Sequence, residues 1–377
     1  MMKRISILTW LHNGNYGSIL QGYALQRYLR NVGYEVTNID LCPSVLEKLK
    51  NCWKQGNPFL SLVKEKKVSW DAKKACPDKK ALGCRIEKFD DFLKSNFFLT
   101  RTYRKFSDLR EIVGKYEAYL CGSDQGWSPM MLSRSYYFDF LPESDKKISY
   151  ACSFGMNYIP EQKKERIANW LKRYNAISVR EEPGLNIVEE LTDKKAVVNV
   201  DPTMLLNAEE WNLLVKSERP VAEPYMLCYF LSYNEEQWQK AAKIAKDKGL
   251  KMVVIPATKE SYKKGDEVIC DVGSVDWVNL IKHADMVATD SFHGCVFSII
   301  YQRQFMVFKR FSDNNKLSQN SRVYTLLSAY GLENCLVEQI DTYQPMEISK
   351  VQYDKVSSDV LTKADASKAW LKNAIEA

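Results

Sequence analysis

No Cys-x-x-Cys pair occurs among the ten cysteines of this chain, and only three histidines, at positions 12, 283 and 293, accompany them. Zinc and iron–sulfur ligand spacing is therefore absent. No window reaches the ~18 uninterrupted apolar residues of a membrane span, which argues against a transmembrane protein. Glycine (16) and proline (12) are scarce, and neither an internal repeat nor a low-complexity tract occurs, so collagen-like and disordered chains are excluded. Gly-x-Gly-x-x-Gly and the Gly-Lys-Ser/Thr ending of a phosphate loop are both missing, so no redox cofactor is expected. The basic start Met1-Met2-Lys3-Arg4 leads into Ile5 to Leu11, which is broken by Ser6 and Thr9 and lacks a small-residue cleavage site. It reads as a buried strand rather than a signal peptide, and with cysteines such as Cys121 and Cys228 set in apolar runs the expectation is free thiols in the cytoplasm.

What is present is the composition of a folded protein: 45% hydrophobic, 27% charged and 12% aromatic residues over 377 positions, enough for two substantial domains at roughly 150 residues each. The net charge of +7 is a local feature. From Lys48 to Lys105 sixteen Lys and Arg stand against six Asp and Glu, which leaves the rest of the chain at −3. Trp53, Phe59, Trp70, Phe89, Phe92, Phe97 and Phe98 are interleaved with these charges. Two readings stay open: a solvated helical insertion whose aromatics face the core, or a surface that meets the inner face of a membrane or a lipid-linked phosphate. No nucleic-acid motif accompanies the patch, so nucleic acid is not an expected partner.

Strand and helix periods alternate along the chain. Arg4 to Trp10 reads as a strand, Ser18 to about Asn31 as a helix closed by Gly33, and Glu35 to Leu41 as a second strand, a unit that implies parallel pairing. After the basic segment the pattern resumes with strands at Ala118 to Cys121, Ile148 to Phe154, Ala176 to Val179 and Val197 to Val200. Two prolines among charges in Lys216 to Pro224 mark a boundary. A second series follows, with strands at Tyr225 to Leu231, Met252 to Ile255, Met286 to Thr289 and Phe305 to Phe308. The expected architecture is α/β, two Rossmann-like domains facing across a cleft, similar to the glycosyltransferase-B arrangement. The expected domains are residues 1–215, with the insertion at about 44–105, and 225–345, while residues 346–377 hold a helix long enough to cross back to the first domain.

Three loops follow strands and carry chemistry. Asn13-Gly14-Asn15-Tyr16-Gly17-Ser18 presents amides at a helix start, which suits an anion or a sugar hydroxyl and equally a tight turn. In Gly122-Ser123-Asp124-Gln125-Gly126-Trp127 the carboxylate suits a general base or an Asx turn, and Trp127 suits stacking on a sugar face. In Asp290-Ser291-Phe292-His293-Gly294 a capping serine precedes a histidine in the first helical turn, where the positive helix end suits a phosphate and Gly294 allows close approach. Arg180 and Arg322 could supply forks that grip carboxylate or phosphate.

Asn13 to Gln21, Gly122 to Gln125, Tyr150-Ala151-Cys152-Ser153-Phe154-Gly155, Ser178-Val179-Arg180-Glu181, Asp201-Pro202-Thr203 and Asp290 to Gly294 occur in this order, and together they resemble the polysaccharide pyruvyl transferase family. The chain departs from the commoner family wording at Gly126 and Cys295, neither change removing a titrating group. The resemblance implies transfer of pyruvate from phosphoenolpyruvate to a hexose, often as a ketal bridging two hydroxyls, during surface-polysaccharide synthesis. On that footing His293 and Asp124 are the catalytic candidates. Arg180, Ser291, Phe292, Gly294 and Arg322 are candidates for phosphoenolpyruvate, and Asn13, Asn15, Tyr16, Gln125 and Trp127 for the acceptor. No metal is expected. A glycosyltransferase using a nucleotide sugar and a non-catalytic sugar-binding module remain the alternatives.

Overall fold

The computed structural model describes residues 2–54, 71–130, 133–312 and 318–377. Contacts divide the chain into two compact units. Unit 1 is Met1–Leu62, Leu93–Leu206 and Thr362–Ala377, and unit 2 is Val63–Phe92 and Asn207–Leu361.

Unit 1 is built on a parallel sheet in the order β2-β1-β3-β4-β5-β6, with β1 Arg4–Leu8, β2 Glu35–Asn38, β3 Ala118–Cys121, β4 Lys147–Cys152, β5 Ala176–Val179 and β6 Ala196–Val198. Helices cover parallel sheets on both faces, so the central strands are apolar along their length rather than alternating, as β3 (Ala-Tyr-Leu-Cys, every residue buried) shows. Two buried serines of neighbouring strands are paired: Ser149 Oγ donates to the Ser178 carbonyl at 3.1 Å, and the Ser178 hydroxyl donates to the Ser149 carbonyl at 3.0 Å. Helix α1, Tyr16–Asn31, connects β1 to β2, after which the chain returns past β1 to β3. Strand order therefore reverses between β1 and β3, and ligands of open α/β sheets bind beyond the carboxyl ends of the strands at such a point.

Unit 2 repeats the plan in the order β12-β11-β10-β7-β8-β9, all parallel, with β7 Tyr225–Tyr229, β8 Lys251–Val254, β9 Glu267–Val268, β10 Met286–Thr289, β11 Gln304–Phe308 and β12 Leu336–Val337. Its order reverses between β7 and β10. The loop after β10 is the Asp290 to Gly294 segment.

The basic segment belongs to both units. Within it α2 is Val45–Lys54 and α3 is Lys79–Asn96. The expected first domain holds the whole insertion, whereas most of α3 packs in unit 2. The reason is long-range pairing: Arg85 Nη1 donates to the Pro256 carbonyl at 3.1 Å, and Lys88 Nζ lies 3.0 Å from Asp271 and 2.8 Å from Asp276. Phe92 and Phe97 are buried, and exposed Phe98 lies under the Arg30 guanidinium, 3.6 Å from carbon to ring centroid. Phe59, Lys64, Lys66, Lys67, Trp70 and the Trp53 side chain lie outside the described residues. The final helix, Lys350–Glu376, begins in unit 2 and ends in unit 1. Among the described residues no helix is long and apolar enough to cross a membrane, and nine cysteines are free.

Candidate active site

In unit 1 the loop after β1 is shaped by its own asparagines. Asn15 caps α1, its Oδ1 accepting from the Ser18 amide at 3.3 Å, while Asn13 Oδ1 accepts from the Asn15 amide at 3.1 Å. Asn13 Nδ2 donates to Ser18 Oγ at 2.8 Å, and Ser18 Oγ in turn donates a close hydrogen bond to Asp124 Oδ2. A short relay thus joins the loop to the carboxylate that follows β3. Asp124 is a non-glycine residue at φ +72°, and its carbonyl accepts from the Ser153 amide at 3.0 Å. Left-handed backbone is uncommon outside glycine, though Asp and Asn tolerate it, and such strain gathers at functional positions.

Behind Asp124 a single arginine serves three carboxylates. Arg180 Nη1 donates to Asp201 Oδ2 at 2.8 Å, while Nε is 3.7 Å from Glu181 Oε2 and Nη2 is 3.9 Å from Asp124 Oδ1. Ser153 Oγ donates to Glu181 at 2.7 Å, and Thr203 donates to Asp201 Oδ1 through its amide at 3.0 Å and its hydroxyl at 2.7 Å. Burial works against the arginine's charge, but Asp201, Glu181 and Asp124 outweigh it and hold its pKa above the ordinary value. With its side chain 2% exposed, Arg180 is an internal counter-ion, not the open fork expected from the sequence. Arg180→Lys keeps the charge and loses the fork, so unit 1 is expected to lose about 1.5–3 kcal/mol of stability, the worth of a charged hydrogen bond. Thermal unfolding measures that loss, and KM for the donor should stay near wild type. A raised donor KM with unchanged melting would return Arg180 to the role of clamp.

Two acceptor candidates are core residues instead. Trp127 is 0% exposed, stacked on Tyr137 with centroids 5.5 Å apart and planes at 7°, and its Nε1 donates to the Tyr136 carbonyl at 3.1 Å. Tyr16 is likewise fully buried. Neither ring offers a face to a sugar. Gln125 is half-buried and packs over Gly155, whose φ of +67° and lack of Cβ admit it: a Cβ there would lie 3.0 Å from Gln125 Cδ. Asn13 is exposed and Asn15 half-buried. Sequence alone assigns no role to Ser18, Glu181 and Asp201, although Ser18 lies in the first turn of α1 and Glu181 and Asp201 cap the helical segments that follow β5 and β6.

In unit 2, helix Phe292–Ile300 starts beyond β10 with Ser291 as its cap, accepting from the Gly294 amide at 3.3 Å. Thr289 Oγ1 accepts from the Ser291 amide at 3.0 Å and donates to the Tyr229 carbonyl at 2.7 Å. Asp290 ties this start to the loop after β7, accepting from the amides of Leu231 at 2.6 Å and Ser232 at 2.9 Å and from the Ser232 hydroxyl at 2.6 Å. Burial pushes its carboxyl up, against the charge of Arg310 and those hydrogen bonds. His293 is 7% exposed, edge-on to Phe292 at 5.2 Å, and the Arg322 guanidinium lies 6.0 Å from the same phenyl ring. The structure therefore gathers His293, Phe292 and Arg322 at one helix start. Gly294 has a different reason from the one expected: a Cβ would lie 2.7 Å from Thr289 Oγ1, so it lets helix meet strand.

Two doubly wound parallel sheets, each with its chemistry-bearing loops at the carboxyl edge, define a two-domain, Rossmann-like fold of the glycosyltransferase-B type. The family model for polysaccharide pyruvyl transferase matches residues 15–310, and the chain belongs to that family of transferases. No curated protein sequence matches the chain. Among solved structures, a Listeria monocytogenes protein assigned as a UDP-N-acetylglucosamine 2-epimerase is similar at 10% identity, over 98% of this chain and 91% of that one, with a TM-score of 0.52. An alpha-glucosyltransferase solved with UDP and DNA is similar at 8% identity over 100% of both chains, also with a TM-score of 0.52. At these identities the likeness concerns the fold alone.

Proposed function

We propose that this transferase moves the pyruvyl group of phosphoenolpyruvate onto a hexose of a surface-polysaccharide precursor, closing a cyclic ketal across two hydroxyls. The observation that carries the reading is the grouping of His293 and Arg322 about Phe292 at a helix start, in a chain of this family. An imidazole, a guanidinium and a positive helix end together suit a small phosphorylated carboxylate.

Ketal formation needs protonation of C3, attack of two hydroxyls at C2 and departure of phosphate. His293 is assigned as proton donor or phosphate partner, Arg322 as an anion clamp and Asp124 as base toward an acceptor hydroxyl. Arg180 holds Asp124 rather than the donor. On this reading these side chains supply the acid–base and charge parts of the reaction, and the transfer needs no metal.

Phosphate release from phosphoenolpyruvate, assayed with nucleotide-linked and lipid-linked hexoses in excess chelator, tests the reading. Acceptor-dependent phosphate at full rate is the expected result. Release of nucleotide instead would indicate a glycosyltransferase, and activity that returns only with magnesium would contradict the metal-free route.

A further inference from the structure

A histidine–aspartate pair lies at the carboxyl edge of the unit 1 sheet. His12, in the loop after β1, places Nε2 in close hydrogen-bond contact with Asp40 Oδ1, just beyond β2. Asp40 is held on every side: Thr102 Oγ1 donates to its Oδ2 at 2.6 Å, its amide donates to Thr100 Oγ1 at 3.0 Å, and its carbonyl accepts from the Tyr103 amide at 2.7 Å. Burial raises its carboxyl, but hydrogen bonds from His12 and Thr102 and the charges of His12 and Arg104 outweigh this, keeping it below the ordinary range. The exposures differ in a telling way. The carboxylate is 8% exposed and the imidazole 29%, so a fixed, buried acid orients a ring that reaches solvent, with Nδ1 left as the nitrogen not engaged by Asp40. Paired in this way, a carboxylate selects the tautomer of an imidazole and fixes its orientation.

The same loop that starts at His12 ends at Ser18, whose hydroxyl donates to Asp124. One short segment therefore borders two separate bases. We propose that His12, positioned by Asp40, is a further catalytic base of the transfer, taking the proton from one acceptor hydroxyl while Asp124 serves the other. This rests on the ketal reading above, because only a two-hydroxyl acceptor needs two such groups. The balance is complete. One hydroxyl loses its proton as its oxygen bonds C2, and the C2–C3 double bond accepts a proton at C3 to make the methyl. The second hydroxyl loses its proton as its oxygen displaces the phosphate from C2, and that proton leaves with the phosphate. Asp40 is a positioning residue, and the charged groups that act on it are His12 and Arg104.

The test compares wild type, His12→Gln and Asp40→Asn for phosphate release from phosphoenolpyruvate across pH, using 4-nitrophenyl hexosides and nucleotide-linked hexoses as acceptors. His12→Gln should lower kcat by about 100-fold or more, the usual contribution of acid–base catalysis, with the donor KM within twofold and the melting temperature retained. Its pH–rate profile should lose the acidic limb. Asp40→Asn should lower kcat with the donor KM within twofold, because the imidazole loses the partner that fixes its tautomer and orientation. A His12→Gln kcat within threefold of wild type, with an unchanged profile, would overturn the role and leave the pair as a staple between loop and strand, the ketal reading standing. Wild type that releases no phosphate from phosphoenolpyruvate with any of these acceptors would overturn the ketal reading, and this role with it.

Discussion

Asp124→Asn is expected to lower turnover by about 100- to 10,000-fold, the span of a lost general base, while melting no lower than wild type. The second half of that expectation comes from the surroundings. Asparagine tolerates the left-handed backbone that Asp124 adopts at φ +72°, and its amide oxygen can still accept from Ser18. Arg180 keeps Asp201 at 2.8 Å and Glu181 at 3.7 Å, so no charge is orphaned and one repulsive carboxylate is removed. Steady-state kinetics with parallel thermal unfolding separates the two effects. Wild-type turnover in this variant would show that the carboxylate is only an Asx-turn residue.

His293→Ala is the second large effect. The ring is buried beside Phe292 in the first turn of its helix, and Asp290 separately ties the turn to the loop after β7. Ser291 still caps the helix when the imidazole is gone, so the helix should persist. Donor turnover should fall by at least about 100-fold, which corresponds to about 2.7 kcal/mol of transition-state stabilisation. The pattern of loss assigns the role: a lowered kcat marks a proton donor to C3, whereas a raised donor KM marks a partner of the phosphate. Near-normal activity would remove His293 from the chemistry.

The strand and helix alternation was legible because buried parallel strands are short apolar runs and their helices have a helical period. Ala118–Cys121, Ala176–Val179 and Met286–Thr289 lie where periodicity puts them. The two-residue strands Glu267–Val268 and Leu336–Val337 are too short to carry a period, and went unseen. At the site, local signals succeeded and distant pairings did not. The Ser291 cap and the first-turn His293 are encoded within a few residues. Trp127 reads locally as an aromatic beside a catalytic loop, and only Tyr137, Phe154 and Tyr174 packing from elsewhere make it core. Arg180 reads as a fork at a strand end because two of its three carboxylates, Asp124 and Asp201, are remote in sequence. His12 and Asp40, 28 residues apart, went unpaired for the same reason.

Mass spectrometry of the acceptor after incubation with phosphoenolpyruvate carrying a 13C-labelled pyruvyl group tests the central claim most directly. The account predicts that a nucleotide-linked or lipid-linked hexose gains one labelled pyruvate less one water, with an equal amount of inorganic phosphate released, and that Asp124→Asn and His293→Ala abolish the gain. An acceptor that gains a whole sugar from a nucleotide donor, while the label stays in phosphoenolpyruvate, would contradict it.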